Sequence, residues 1–203
     1  MLRIYLVRHG ETTWNREGRW QGHTDIPLSD HGIGQVERLR DRLASEVIDA
    51  IWSSDLKRAS ETAKIIAAPH GITVHTTGRL RETRLGDWEG LTNPEIETRG
   101  DGEILRSMAR GIQELRPPNS ESLQDMYDRM NSVLAEIKSE HTDGQVIIVG
   151  HGGSLCALIC GALNVGVSCL NKFRLQNAAL SALEYHEERV WIRFINDESH
   201  LRG

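Results

Sequence analysis

Arg8, His9 and His151 come just after short apolar segments of this sequence, and a fourth basic side chain, Arg58, lies in the first turn of a predicted helix that begins where another such segment ends. Parallel α/β sheets bind ligands at the carboxyl ends of their strands, so these side chains are expected to meet at one sheet edge. Arginine forks fit phosphate oxygens, and helix N-termini add backbone N–H donors. The spacing therefore predicts a site for a phosphate group.

The segments that must position these side chains alternate between strand and helix patterns. Short apolar runs rich in β-forming residues predict strands over 3–7, 50–52, 72–75 and 146–149. Apolar residues at helical spacing predict helices over 29–45, 55–68, 121–140 and 155–163. Ser29 is the expected cap of the first helix, and Ser54 or Asp55 that of the second. This alternation is typical of βαβ units around a mostly parallel sheet.

Two further regions depart from the alternation. Residues 91–120 contain short helix-like pieces broken by glycines and by a Pro-Pro-Asn turn, which predicts an insertion or lid over the sheet. Residues 180–185 and 190–195 predict a terminal hairpin. The sequence contains no internal repeat and no linker, so one domain over residues 1–203 is expected.

Composition excludes several classes of protein. The 203 residues carry 24 Lys and Arg against 29 Asp and Glu, a net charge of −5, which argues against nucleic acid as the main partner. No apolar run is long enough for a spanning helix, and the first residues do not resemble a signal peptide. Three clustered cysteines form no disulfide framework. We therefore expect a cytoplasmic protein that does not bind membranes.

The motifs together resemble the histidine phosphatase superfamily, in its phosphoglycerate mutase-like branch. They occur in the family's order between Ile4 and Gly153, with Ser120 where the family usually has glycine. The segments that carry the resemblance are Leu6-Val7-Arg8-His9-Gly10-Glu11-Thr12, Trp14-Asn15, Arg19-Trp20-Gln21-Gly22, Ser53-Ser54-Asp55-Leu56-Lys57-Arg58-Ala59, Leu80-Arg81-Glu82, Gly86-Asp87-Trp88-Glu89-Gly90 and Val149-Gly150-His151-Gly152-Gly153. The resemblance implies a three-layer α/β/α sandwich with a small helical insertion over the active site.

The resemblance also implies a catalytic role for several residues. His9 would attack phosphorus and carry a transient phosphohistidine, which requires an unprotonated ring nitrogen. Glu82 would protonate the leaving alcohol and then activate water. Arg8, Arg58 and His151 would hold the phosphoryl oxygens and neutralise their charge. The implied catalytic residues are Arg8, His9, Arg58, Glu82 and His151, and the implied substrate-binding residues are Arg8, Asn15, Gln21, Gly22, Arg58, Glu82, His151 and Gly152.

Each of these residues also has an ordinary structural interpretation. Arg58 could lie on a solvated helix face, and Glu82 could be a surface partner of Arg81 or Arg84. Glu89 is a nearby alternative acid. Trp88 is expected to be core packing rather than a substrate-stacking residue. Cys156 and Cys160 are expected to be small core residues, and no metal-ligand spacing or Walker A pattern occurs.

The sequence favours hydrolysis over phosphate transfer within the branch. Family mutases have a Tyr and a Lys soon after the acidic Glu and an adjacent arginine pair in the insertion. Here Thr83-Arg84-Leu85-Gly86 follows Glu82, and the insertion arginines are dispersed. We therefore expect a metal-independent phosphatase that needs no cofactor and acts on a small phosphorylated metabolite. A cofactor-dependent phosphoglycerate mutase and a phospho-ligand binding or regulatory module remain alternatives, and the last predicted strand could support a homodimer.

Overall fold

The structure, a computed structural model, describes residues 1–110, 115–187 and 189–202. Within these residues the strands are β1 (Leu2–Arg8), β2 (Ala50–Ser54), β3 (Val74–Thr77), β4 (Gly144–Gly150), β5 (Leu180–His186) and β6 (Arg189–Asp197). The helices are α1 (Thr13–Glu17), α2 (Asp30–Leu43), α3 (Lys57–Ala67), α4 (Asn93–Thr98), α5 (Gly102–Ala109), α6 (Leu123–Glu140) and α7 (Gly152–Ala162).

The strands form a single mixed sheet in the order β3-β2-β4-β1-β5-β6. The first four strands of that order are parallel, and β5 and β6 are antiparallel to their inner neighbours. In the parallel register Arg8 lies beside Gly150, and Ser53 lies beside Val149. The carboxyl ends of β1, β2 and β4 therefore reach the same edge of the sheet, as the sequence predicts.

Alternating side chains of the central strands build two separate cores. In β1, Ile4 and Leu6 pack into the core under α6 and α7, whereas Tyr5 and Val7 pack into the core under α2 and α3. Successive side chains of a strand point to opposite faces of the sheet, so a strand that is covered by helices on both faces contributes to two cores in turn. The predicted three-layer α/β/α sandwich is confirmed.

Several predicted boundaries differ from the structure, and three of the differences have a clear local cause. Ser54 belongs to β2, and its hydroxyl accepts the Leu56 N–H, so Leu56 precedes α3 without any side-chain cap. The third strand begins at Val74, because Gly71 ends the preceding turn in a left-handed conformation and the next residues only lead into the sheet. Helix α7 begins at Gly152, because the first-turn N–H groups of Gly153 and Ser154 donate to the Glu82 carboxylate.

The predicted hairpin is confirmed as β5 and β6, apart from Glu188 of its turn, which lies outside the described residues. Strand β6 is an edge of the sheet, and Trp191 on it is half exposed. A homodimer through this edge stays a prediction. None of the helices in the described ranges is long and apolar enough to cross a membrane.

The predicted insertion contains α4 and α5, with residues 111–114 outside the described residues. These helices pack around a small core of their own, centred on Trp88, Leu85 and Ile96. Trp88 is fully buried, as predicted, and its indole N–H donates to the Asp101 carboxylate at 2.9 Å. The insertion is therefore anchored to the loop that follows Glu82.

Candidate active site

A cavity of about 410 Å³ opens at the sheet edge where β1, β2 and β4 end. The loops after these strands and the N-terminus of α7 form its floor. All of the side chains that the sequence predicts for the site line this one cavity: Arg8, His9, Asn15, Gln21, Gly22, Arg58, Glu82, His151 and Gly152. Residues from several separate motifs are thus brought together, although they are spread over most of the chain.

His9 is held as a neutral ring with one nitrogen available. Its backbone N–H continues the sheet pattern by donating to the Gly150 carbonyl at 3.0 Å. Its Nδ1–H donates to the Gly10 carbonyl at 2.7 Å, which leaves the lone pair on Nε2. Burial, together with the positive charges of Arg58 and Arg8, holds the pKa of His9 well below 6.5. An unprotonated Nε2 is the form that a nucleophilic histidine needs.

His151 has the opposite arrangement of its ring proton. Arg58 donates its Nε–H to Nδ1 of His151 at 3.2 Å, so the ring proton is on Nε2. Within the described part of the chain, this buried Nε2 has no hydrogen-bond partner. Burial and the nearby Arg58 charge hold the pKa of His151 well below 6.5. His151 therefore presents a neutral N–H donor.

Arg58 is buried and does not lie on a solvated helix face. Its Nη1 donates to the Thr24 carbonyl and its Nη2 to the Gly22 carbonyl, both at 2.8 Å. Burial lowers the pKa of Arg58 to about 10, so the guanidinium stays charged at neutral pH. Each terminal nitrogen keeps one further N–H for an anion in the cavity.

Arg8 supplies the second fixed positive charge. Its Nη1 donates to the Leu175 carbonyl at 2.6 Å, and this bond orients the guanidinium along the cavity wall. Burial lowers the pKa of Arg8 from its ordinary value, which is far above neutral. Arg8 and Arg58 together make the floor of the cavity strongly favourable for a phosphate group.

The Glu82 carboxylate lies at the N-terminus of α7. Its oxygens accept three backbone N–H groups, from Thr83 at 2.9 Å, Gly153 at 2.9 Å and Ser154 at 3.0 Å. A Cβ at Gly153 would come within 2.7 Å of one of these oxygens, so the carboxylate would have to shift if this position carried a side chain. Arg81 instead pairs with Asp55 through two bonds of 2.7 and 2.6 Å.

The alternative acid Glu89 does not line the cavity. Its carboxylate accepts the backbone N–H groups of His23 and Leu85 and the Thr24 hydroxyl, at 2.7–3.1 Å. Burial raises the pKa of Glu89, but these hydrogen bonds outweigh it and the pKa is lowered overall. Glu89 therefore joins two loops of the site rather than facing a ligand.

Asn177 is a part of the site that the sequence analysis misses. Its side-chain amide donates to the His9 carbonyl at 3.0 Å and to Oδ1 of Asn15 at 3.2 Å. Thr12 also donates to that Oδ1, through both its backbone and its hydroxyl at 3.0 Å. With its oxygen occupied, Asn15 presents its NH₂ group to the cavity. No motif surrounds Asn177, so only the pairing of β5 with β1 shows its position.

The site offers no ready set of metal ligands. Among the residues that the structure describes, no three His, Cys, Asp or Glu side chains are grouped closely enough to hold a metal ion. Cys156 and Cys160 are buried core residues, as predicted. Burial raises the pKa of Cys156 to about 12, which keeps it a thiol at neutral pH.

Comparison with known proteins assigns the family. Residues 4–198 match the model of the histidine phosphatase superfamily (branch 1). A probable phosphoglycerate mutase, GpmB, of Yersinia pestis (strain Pestoides F) is 36% identical over 192 residues, which cover 95% of this chain and 88% of the relative.

Two solved structures have the same fold at similar identity. YhfR of Bacillus stearothermophilus superimposes with a TM-score of 0.92 at 31% identity over 100% of both chains. A mycobacterial glucosyl-3-phosphoglycerate phosphatase superimposes with a TM-score of 0.88 at 31% identity, covering 96% of this chain and 98% of that one. The expectation of an enzyme of the phosphoric monoester hydrolase type is confirmed at the level of the family. The chain belongs to the histidine phosphatase superfamily (branch 1).

Proposed function

We propose that this single-domain chain is a metal-independent phosphatase that hydrolyses small phosphomonoesters through a phosphohistidine on His9. The observation that supports this most directly is the Nδ1–Gly10 hydrogen bond of 2.7 Å. It leaves Nε2 of His9 unprotonated in the same cavity as two arginines, His151 and Glu82. This arrangement supplies a nucleophile, anion binding and a proton donor together.

In the first step the lone pair of His9 Nε2 attacks phosphorus, and the bond between phosphorus and the leaving oxygen breaks. Glu82, entering the step with a proton, gives that proton to the leaving alkoxide, so that an alcohol departs. Arg8, Arg58 and the N–H of His151 balance the charge on the three phosphoryl oxygens. Positioned donors of this kind act without reorganising during the reaction.

In the second step water replaces the alcohol. The Glu82 carboxylate takes a proton from this water as its oxygen attacks phosphorus, and the bond between phosphorus and Nε2 breaks. Inorganic phosphate leaves, His9 is neutral again and Glu82 is ready for the next ester. Both half-reactions use the same side chains, which agrees with the single cavity.

The proposal is tested with para-nitrophenyl phosphate as substrate. His9→Ala is expected to abolish phosphate release, and the wild-type protein is expected to keep its activity in EDTA. Wild-type protein that is incubated with ³²P-labelled ester and then rapidly denatured should carry acid-labile label, and His9→Ala treated in the same way should not. Full activity of His9→Ala, or loss of wild-type activity on chelation, would contradict the mechanism.

A phosphoglycerate mutase is the second candidate, because the Yersinia relative is named a probable enzyme of that kind. A mutase must return phosphate to a bound phosphoglycerate rather than to water. In the described part of the chain, Thr83 and Leu85 line the cavity after Glu82 and no lysine does, which favours hydrolysis. Interconversion of 2- and 3-phosphoglycerate that depends on 2,3-bisphosphoglycerate would instead support the mutase.

A further inference from the structure

The direction in which a leaving group extends is set by Glu82. If this carboxyl group protonates the leaving oxygen, the rest of the alcohol must pass beside the segment that follows it. Thr83 and Leu85 of that segment line the cavity, and Met108 of α5 and Leu123 of α6 line it with them. This part of the cavity, together with Trp20, is called the leaving-group pocket.

Apolar side chains form most of the wall of the leaving-group pocket. Trp20, Leu85, Met108 and Leu123 contribute an indole, two isobutyl groups and a thioether. Trp20, Leu85 and Met108 also belong to the small core of the insertion, so they are packed from behind. Such a wall gains free energy by removing apolar surface of a ligand from water.

Hydrogen bonds fix the largest of these side chains. The Trp20 indole N–H donates to the Asn93 side-chain oxygen at 2.8 Å. Its backbone N–H donates to the Leu91 carbonyl at 2.9 Å, and its carbonyl accepts the Gly90 N–H at 2.8 Å. The indole is therefore a fixed wall, and a ligand does not have to order it.

Among the residues that the structure describes, the leaving-group pocket has no unneutralised positive charge. Outside the phosphate-binding pair, Arg19 is the one other Lys or Arg that lines the cavity among the described residues. Its guanidinium already pairs with Glu17 at 2.8 Å and Glu95 at 3.0 Å, and donates to the Gly90 carbonyl at 2.7 Å. A carboxylate on the substrate would have to compete with these partners.

Three arginines of the insertion add no free positive charge to the leaving-group pocket. None of Arg99, Arg106 and Arg110 lines the cavity, and Arg99 is paired with Asp87 and Asp101. Residues 111–114 are Gly, Ile, Gln and Glu, none of which carries a positive charge. Arg174 lines a neighbouring cavity, which shares Arg8, Gly152 and Gly153 with the first, and does not line the leaving-group pocket.

We infer that the preferred substrate is a phosphomonoester of an uncharged, largely apolar alcohol, rather than a phosphorylated hydroxy acid or amino acid. The inference rests on the proposed function, because it takes its direction from Glu82 as the proton donor. Trp20, Met108 and Leu123 contact the apolar group, and Asn93 has an amide N–H left for an oxygen on it. Carboxylated esters are disfavoured because their charge would lose water without gaining a cation.

The test compares two esters of primary alcohols, so that the chemistry at phosphorus is similar. We expect kcat/KM for 2-phenylethyl phosphate to exceed that for phosphoserine by about tenfold or more, as burial of an aromatic ring predicts. Met108→Ala should lower kcat/KM for 2-phenylethyl phosphate about fivefold through lost apolar contact. Met108→Arg should raise kcat/KM for phosphoserine severalfold. Arg106→Ala, an exposed position on the same helix that does not line the cavity, is the matched control and should change neither value.

The outcomes separate this inference from the proposed function. Equal kcat/KM for the two esters, or a preference for phosphoserine, would overturn the inference while phosphatase activity stands. Loss of phosphoserine hydrolysis in Arg174→Ala would overturn it too, since the carboxylate would then be bound by Arg174 in the neighbouring cavity. If neither ester is hydrolysed, or if His9→Ala hydrolyses both at the wild-type rate, the proposed function itself fails.

Discussion

The rings of His9 and His151 lie edge to face with their centroids 5.1 Å apart, and their hydrogen bonds place the ring protons on different nitrogens. Gly10 accepts from Nδ1 of His9, whereas Arg58 donates to Nδ1 of His151. One ring thus offers a lone pair on Nε2 and the other an N–H on Nε2. Two chemically identical side chains are assigned different tasks by one neighbour each.

This difference is directly measurable. Nitrogen-15 NMR of the free protein near pH 6.5 should show a neutral His9 protonated at Nδ1 and a neutral His151 protonated at Nε2, since the pKa of each is well below 6.5. Spectra of His9→Gln and His151→Gln assign the signals. The same tautomer in both rings, or a positively charged His9, would contradict the arrangement.

The free energy of unfolding should decrease at acidic pH, because both histidines have a lowered pKa in the folded protein. The pKa values of His9 and His151 are lower in the folded protein than the 6.5 of an exposed ring, so the unfolded chain binds more protons between the two values. The free energy of unfolding should therefore decrease below about pH 6.5, by up to about 1.4 kcal/mol per pH unit for each ring. Urea unfolding across this range measures the slope, and His151→Gln should make it shallower.

The absence of a side chain at Gly153 is expected to determine the position of the Glu82 carboxyl group. In Gly153→Ala the new Cβ would lie 2.7 Å from a Glu82 oxygen, so the carboxyl group must move from its backbone donors. We expect kcat for 2-phenylethyl phosphate to fall at least about tenfold, since small misplacement of a catalytic group is costly. Urea unfolding of the same variant shows whether folding is preserved. Unchanged kcat in the folded variant would mean that the position of Glu82 is not critical.

Much of the site could be predicted because its parts follow strand ends. His9 and His151 come directly after buried apolar runs, and parallel pairing of β1 with β4 puts them side by side. The order of helices and strands was readable from apolar spacing for the same reason. Ser54 shows the limit, since the strand continues through it and its hydroxyl accepts the Leu56 N–H rather than an N–H group of α3.

The rest of the site depends on packing that no local pattern encodes. Asn177 reaches His9 only because β5 pairs antiparallel with β1, on the side of β1 opposite to β4. Met108 reaches the cavity only because α5 packs on Trp88. Both contacts join segments that are distant in sequence, and the residue types alone gave no reason to select them.

Asn177 is expected to act as a positioning residue for the catalytic loop. Asn177→Asp keeps the size of the side chain but removes the N–H donors and places a carboxylate against the His9 carbonyl and the Asn15 oxygen. We expect kcat/KM to fall by about tenfold to a hundredfold, the cost of one or two lost hydrogen bonds with repulsion added. The kcat/KM of Asn177→Gln should fall less, provided that its longer side-chain amide still reaches Asn15. The comparison is made with para-nitrophenyl phosphate, and equal values for the two variants would argue against a donor role.

Two glycines of α2 should respond in opposite directions to the same change. A Cβ at Gly32 would collide with the Glu11 backbone, and Gly32 in turn lies against Gly10, next to His9. Gly32→Ala is therefore expected to lower the free energy of unfolding by about 1–3 kcal/mol, as overpacking does, and to reduce activity by displacing the catalytic loop.

Gly34, two residues along the same helix, has no atom within 4 Å of an added Cβ. Gly34→Ala should raise the free energy of unfolding by about 0.5–1 kcal/mol, because alanine restricts the unfolded chain and favours the helix. Its activity should match that of the wild type, since its side chain does not line the cavity. A urea midpoint that rises in Gly32→Ala as it does in Gly34→Ala would show that the contact between α2 and the His9 loop is not a tight one.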